Sequence, residues 1–139
     1  MEQIRFTDWI IITLCCLTLG MLITHTASAA GVEVFTTSYN PARAQTDSTP
    51  CVGGSGRDLC QAAREGDRTI ALSRDLLWFR GGPYRWHDKV RLTSDIPQCN
   101  GVYSVEDTMA KRWSKRADIF FLKRNSNTSC HATIERVVY

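Results

Sequence analysis

Four cysteines after residue 30 constrain the fold of this chain more than any other feature: Cys51, Cys60, Cys99 and Cys130. An even number of cysteines in so small a domain is typical of an exported protein held together by disulfides. Three pairings are possible. We favour Cys51–Cys60, which closes the Gly-rich loop CVGGSGRDLC, and Cys99–Cys130, which connects the late strands. A zinc site is the disfavoured alternative, because the sequence has no C-x-x-C pair and the compartment is oxidising.

The first 29 residues have the pattern of a secretory signal peptide. An apolar run at residues 9–23 precedes the small-residue motif Ala27-Ser28-Ala29, a typical signal peptidase site. The run is short for a membrane span. We therefore expect cleavage after this motif and a single exported domain at residues 30–139, with no stable membrane span. An uncleaved anchor is the alternative, because acidic residues make the region before the run less basic than usual.

The charge of the expected domain is mildly basic. Residues 30–139 contain 16 Lys and Arg against 12 Asp and Glu, a formal net charge of about +4. Such a balance suits an anionic polymer, either a cell-wall glycan or a nucleic acid, without choosing between them. Because the sequence has no basic motif interleaved with aromatic residues, we expect no nucleic-acid partner.

Short β-like runs alternate with turn-rich stretches along the whole expected domain. Six runs rich in β-branched or aromatic residues lie at residues 31–39, 67–73, 88–94, 101–107, 116–122 and 131–139. Residues 60–66 are typical of a short helix. Six strands with little helix in about 110 residues predict a small all-β barrel or sandwich. A strict period of two in residues 101–107 would put Glu106 and Asp107 on opposite faces.

Three segments match, in order, the motifs of a known family. TTSYNP (residues 36–41) resembles a T-x-Y-x-P opening, and GDRTIALSRDLL (residues 66–77) a glycine, strand and aspartate-bearing turn. VEDTMAKRWSKRADIFFL (residues 105–122) resembles a closing signature with two aspartates eleven residues apart, here Asp107 and Asp118. The chain thus resembles the three-aspartate (3D) domain family, which includes the catalytic domain of membrane-bound lytic transglycosylase A.

The resemblance implies a fold and a set of site residues. The fold would be a six-stranded double-psi β-barrel with short helical connections, and the domain would be periplasmic or secreted in a bacterium. Asp118 would be the catalytic acid/base and Asp107 its supporting carboxylate, acting on peptidoglycan glycan strands without metal or cofactor. The substrate-binding residues would be Thr37, Tyr39, Thr108 and Arg116.

The sequence departs from the family at several positions. Met109 and Ala110 replace two glycines after Asp-Thr, and Ser114 replaces a later glycine. Because glycines serve positive φ angles or close backbone approach, this segment must be shaped differently. Ser73 stands at the family's first aspartate, with Asp75 two residues later. These changes bear on activity more than on the fold.

The chemistry expected of Asp118 requires a protonated carboxyl. Lytic transglycosylation needs one group that protonates the glycosidic oxygen and then accepts the proton of the muramyl 6-hydroxyl, so a single carboxyl suffices. Asp118 lies in RADIFFL, apolar on both faces, where an ionised carboxylate is costly. Asp107 would raise its proton affinity, whereas Arg116 would lower it.

Two alternatives to transglycosylation remain open. One is a non-catalytic module that binds the cell wall or a protein partner, favoured by the missing Gly-Gly. The other is an exported hydrolase of a different polysaccharide, which would leave reducing ends in place of anhydro ends.

Overall fold

The computed structural model describes residues 31–42, 48–123 and 128–139, so the predicted signal peptide at residues 1–29 lies outside the described residues. All six predicted strands are confirmed, with ends shifted by a few residues at most. They are β1 (Val32–Tyr39), β2 (Thr69–Leu72), β3 (Lys89–Thr93), β4 (Gly101–Thr108), β5 (Arg116–Phe120) and β6 (Cys130–Arg136).

The strands close into a barrel in the order β1-β5-β2-β4-β3-β6, with β6 returning to β1. The pairs β1/β5 and β2/β4 are parallel, and the other four pairs are antiparallel. Closure pairs the backbone of every strand on both sides, which a single small sheet cannot do. The predicted all-β barrel is therefore confirmed, whereas the double-psi crossing of the chain stays a prediction.

The barrel interior is filled by alternate residues of each strand. Val90 and Leu92, the apolar side of β3, are buried, and Ala117 and Ile119 of β5 pack into the same cluster. The period of two explains this filling, because residues two apart point to the same side of a strand. On β5 the outward-facing Phe120 is buried too, so this strand is covered on both faces.

The connections contain only short helices, as predicted. Helix α1 (Leu59–Arg64) is capped at its N-terminus by Asp58, whose Oδ1 accepts a hydrogen bond from the Gln61 amide at 2.8 Å. Three 3₁₀ turns span Arg74–Leu76, Trp78–Arg80 and Pro97–Cys99. In the described segments, none of these helices is long and apolar enough to cross a membrane.

Both predicted disulfides are confirmed. Cys51–Cys60 closes a loop, residues 51–60, that we call the disulfide loop, and Cys99–Cys130 joins the turn before β4 to the start of β6. Leu59 and Cys60 pack on Phe120 outside the barrel. The first disulfide therefore holds a loop against the outer face of β5, and the second connects strands within the barrel.

Candidate functional site

The two predicted catalytic aspartates flank one residue of β2. In the strand register, Ala71 pairs with Asp118 of β5 on one side and with Asp107 of β4 on the other. Thr37 of β1 pairs with Asp118 and extends the row. Since paired strands lie about 4.8 Å apart, the two carboxyls face each other across a single small side chain. Ala71, Asp107 and Asp118 all line one cavity of about 530 Å³.

A β-bulge in β4 makes this arrangement possible. Ile70 pairs with Val105 and the next residue, Ala71, with Asp107, so Glu106 is the extra residue. Glu106 and Asp107 consequently both bond to the disulfide loop, through Ser55 Oγ and the Gly54 amide. The strict alternation expected for residues 101–107 is wrong at this point, because the bulge interrupts the period of two.

Asp118 is an acid whose surroundings favour its protonated form. Burial raises its pKa from 3.8 to about 6, and the charge of Asp107 contributes to the increase. Two groups work in the opposite direction: Thr37 Oγ1 donates a hydrogen bond to Asp118 Oδ1 at 2.9 Å, and Arg116 adds positive charge. Burial prevails, so Asp118 keeps its proton to a higher pH than an ordinary aspartate, and about a tenth of the groups remain protonated at pH 7.

Asp107 is held by three hydrogen-bond donors. Tyr39 OH donates to Oδ2 at 2.9 Å, and the amides of Gly54 and Thr108 each donate to Oδ1 at 2.8 Å. Burial and the Asp107 carboxylate raise the pKa of Tyr39 well above its usual value, so the phenol remains a donor. A carboxylate can accept all these contacts, and they fix its orientation beside Asp118.

The cavity lies between the disulfide loop and a segment that we call the linking segment, residues 109–115. Its walls on the loop side come from residues 49–54, and the opposite wall includes Met109, Ala110, Arg112 and Trp113. Arg74, in the turn after β2, completes the lining. Both walls come from connections, and the strands supply the floor.

Four of the six predicted site residues line the cavity: Tyr39, Asp107, Thr108 and Asp118. Thr37 does not line the cavity, but it donates a hydrogen bond to Asp118, which does. Arg116 does not line the cavity, because its guanidinium stacks between Trp113, at 4.0 Å from the ring centroid, and Phe35, at 4.9 Å. Its predicted contact with substrate stays a prediction, and its charge lowers the pKa of Asp118.

The substituted family positions have clear structural roles. Met109 and Ala110 lack positive φ angles, which among the described non-glycine residues occur at His87 and Lys115. Asp75 is turned away from the cavity and accepts hydrogen bonds from Ser114 Oγ at 2.9 Å and the Lys115 amide at 3.0 Å. The linking segment thus adopts a shape that residues with side chains can form, and Asp75 does not replace the family's first aspartate in the cavity.

Three contributors to the site were missed by sequence reasoning. Ala71 separates the carboxyls, Gly54 supplies an amide to Asp107, and Arg74 adds a charge to the wall. A small residue inside an otherwise bulky strand was the only signal for Ala71. The Gly-Gly pair in the disulfide loop was the signal for close approach, since a Cβ at Gly53 would lie 2.4 Å from the Glu106 carbonyl oxygen.

The described residues contain no group of three or more His, Cys, Asp or Glu side chains placed to hold a metal ion. Comparisons of the chain with models of protein families, with curated proteins and with solved structures found no match. The resemblance to the 3D family therefore depends on the sequence motifs alone.

Proposed function

We propose that this protein is exported and cleaves peptidoglycan glycan strands by lytic transglycosylation, with Asp118 as the general acid and base. The observation that carries the proposal is the placement of Asp118 in a cavity that a second carboxylate, Asp107, also lines, where burial raises the pKa of Asp118 to about 6. A carboxyl that titrates near the working pH can both give and take a proton. The two disulfides agree with export, because such bonds persist in oxidising compartments.

In the proposed reaction, Asp118 donates one proton to the substrate and later accepts one from it. The Asp118 carboxyl protonates the glycosidic oxygen as the bond from that oxygen to the muramyl C1 breaks. The muramyl 6-hydroxyl oxygen then bonds to C1, and its proton passes to the Asp118 carboxylate. The products are a free hydroxyl on one fragment and a 1,6-anhydro ring on the other, and Asp118 ends protonated as it began.

Asp107 supports this cycle in two ways. Its charge raises the pKa of Asp118, which favours the acid step. It also stabilises positive charge that develops at the sugar ring as the glycosidic bond breaks. The hydrogen bonds from Tyr39, Gly54 and Thr108 hold it in place for both roles.

The test uses purified sacculi and mass spectra of the soluble products. We expect the wild-type domain to release muropeptides with 1,6-anhydro ends and Asp118→Asn to lower that release at least about 100-fold, as expected for loss of a general acid. Asp95→Asn removes an exposed carboxylate outside this cavity and is the matched control. Unchanged release by Asp118→Asn would falsify the proposal, and reducing-end products would indicate a hydrolase.

A non-catalytic glycan-binding module is the second candidate. It is favoured by the linking segment, where Met109 is buried in the cavity wall and Ala110 lines the cavity at positions where the family has glycine. Such a wall can bind a sugar and keep its glycosidic oxygen out of reach of the Asp118 carboxyl. Binding of the wild-type domain to intact sacculi with no soluble product would select this candidate.

A further inference from the structure

We infer that Arg74 and Arg112 form an anion-binding edge of the cavity and select a glycan that carries a carboxylate beside the scissile bond. The identity of the ligand as a glycan rests on the proposed function. The presence of the edge rests on the position of the two guanidinium groups.

Both arginines line the same cavity as the aspartates but enter it from connections. Arg74 is the first residue of the 3₁₀ turn after β2, and Arg112 lies in the linking segment. The Arg74 Nε donates to the Met109 carbonyl at 3.4 Å, and the Arg112 guanidinium lies 4.9 Å from the Trp113 ring centroid. These contacts orient the two side chains and leave most of their N–H groups available.

Neither arginine is neutralised by a carboxylate of the described residues. The arginine ion pairs there involve Arg57, Arg91 and Arg136. Arg74 and Arg112 thus share a cavity with two carboxyl groups and form an ion pair with neither of them. Two separate polar regions, one acidic and one basic, are therefore present in a single cavity.

A ligand that satisfies both regions must itself have two parts. A guanidinium binds a carboxylate through two parallel hydrogen bonds, whereas a neutral hydroxyl offers no opposite charge. A carboxylate of the ligand would be repelled by the Asp107 carboxylate, so its favourable position is at the arginines. The uncharged glycosidic oxygen then lies toward Asp118. In a muramyl sugar, the carboxylate comes from the lactyl group or from the peptide attached to it.

The experiment measures binding without turnover, by calorimetry in an Asp118→Asn background. The probes are chitotetraose, which is neutral, and a tetrasaccharide of alternating N-acetylglucosamine and N-acetylmuramic acid with free lactyl carboxylates. A third probe is the same tetrasaccharide with amidated lactyl groups, and a fourth carries the peptides. The test variant is Arg74→Gln with Arg112→Gln, and Arg80→Gln with Arg85→Gln is the control, because it removes equal charge from exposed residues outside the cavity.

We expect the test variant to bind the free-carboxylate tetrasaccharide about tenfold or more weakly, the usual cost of losing hydrogen bonds to a charged group. Its affinity for chitotetraose should be unchanged, and the control should match the parent for every probe. If the test variant loses affinity for the free-carboxylate tetrasaccharide but not for the amidated one, the lactyl carboxylate is the group that the arginines bind. If it loses affinity only for the probe that carries the peptides, the arginines bind a peptide carboxylate. Equal losses for neutral and acidic probes, or no loss, overturn the inference.

This readout is separate from the reaction. If wild-type protein releases no anhydro products while the arginine variant still loses selectivity for the acidic probe, the proposed function fails and the anion-binding edge stands. If anhydro products form and the arginine variant keeps its selectivity, the proposed function stands and the anion-binding edge fails. Thermal unfolding of both double variants checks that neither substitution affects the fold.

Discussion

The Asp118 carboxyl is balanced between groups that raise its pKa and groups that lower it, and each can be removed separately. Asp107→Asn deletes a negative charge and should lower the pKa of Asp118, while Thr37→Val deletes a hydrogen bond to the carboxylate and should raise it. Carbon NMR titration of the side-chain carboxyls measures both, with Asp118→Asn assigning the signal. If Asp118 in the wild-type protein titrates near 3.8, the proposed acid role is wrong.

Thr36→Val is the matched control for Thr37→Val, because both are isosteric changes in β1. Thr36 is fully buried, and its hydroxyl has no hydrogen-bond partner among the described residues. Its loss should leave the titration of Asp118 unchanged and should not lower stability, because no hydrogen bond is broken.

The same pKa makes stability fall as pH rises. A folded-state pKa of about 6, above the unfolded value of 3.8, means that the folded protein binds the proton more tightly. This contribution is complete below about pH 4 and is lost as pH rises through about 6. The loss is about 3 kcal/mol at most. Urea denaturation should show that Asp118→Asn lacks this decline, and parallel pH profiles for the two proteins would contradict it.

At the level of elements, the bulge in β4 is held in place by a buried carboxylate. Glu106 is fully buried and accepts from Ser104 Oγ at 2.6 Å, Ser55 Oγ at 2.7 Å and Arg57 at 3.1 Å, and His87 Nδ1 lies 3.0 Å from its Oε2. Burial alone would raise the pKa of Glu106, but the four hydrogen bonds together lower it. The carboxylate therefore connects β4 to the disulfide loop and to the turn before β3.

Glu106→Gln should destabilise the protein strongly. The amide replaces an acceptor oxygen with a donor, so buried hydrogen bonds are lost, while Arg57 keeps its ion pair with Asp67. The expected loss of unfolding free energy is about 1–3 kcal/mol. Glu135→Gln is the control, because its pair with Arg91, at 3.7 Å, is exposed and should cost less than about 1 kcal/mol. Similar losses in urea denaturation for the two variants would show that the buried network contributes little.

The positions of the strands and of the short helix could be predicted from local sequence patterns, but the register between paired strands could not. Turn residues and the period of two predicted each strand to within a few residues, and the buried Val90 and Leu92 of β3 follow that period. The bulge at Glu106 depends on contacts with a loop some fifty residues earlier, so no local pattern signals it. The motif spacing predicted that Asp107 and Asp118 act together, whereas Ala71 between them emerged only from the paired strands.

At the scale of the whole molecule, a closed barrel was predictable because six short strands without long helices have few other compact arrangements. The cavity was not predictable in the same way. Its walls are the disulfide loop and the linking segment, and their approach depends on packing of Leu59 and Cys60 against Phe120. The scaffold and the two acids are therefore more predictable from the sequence than the groups that surround them.

The two disulfides should have different effects when removed, because one stabilises the barrel and the other the site. Cys99 and Cys130 are 31 positions apart, and Cys51 and Cys60 are 9. Loop-closure entropy then predicts losses of about 4 kcal/mol and about 3 kcal/mol for the double Cys→Ser variants. Cys51→Ser with Cys60→Ser should also release the disulfide loop, admit water and lower the pKa of Asp118 toward 3.8.

The barrel disulfide provides the control for that effect. Cys99→Ser with Cys130→Ser should lower the midpoint of urea denaturation more, yet leave the Asp118 titration unchanged while the protein is folded. The two segments that this disulfide joins, the turn before β4 and the start of β6, do not line the cavity. Carbon NMR titration and urea denaturation of the two double variants separate the roles. If removal of Cys51–Cys60 leaves the pKa of Asp118 near 6, the loop is not what keeps water from the carboxyl, and the barrel surface alone must account for its desolvation.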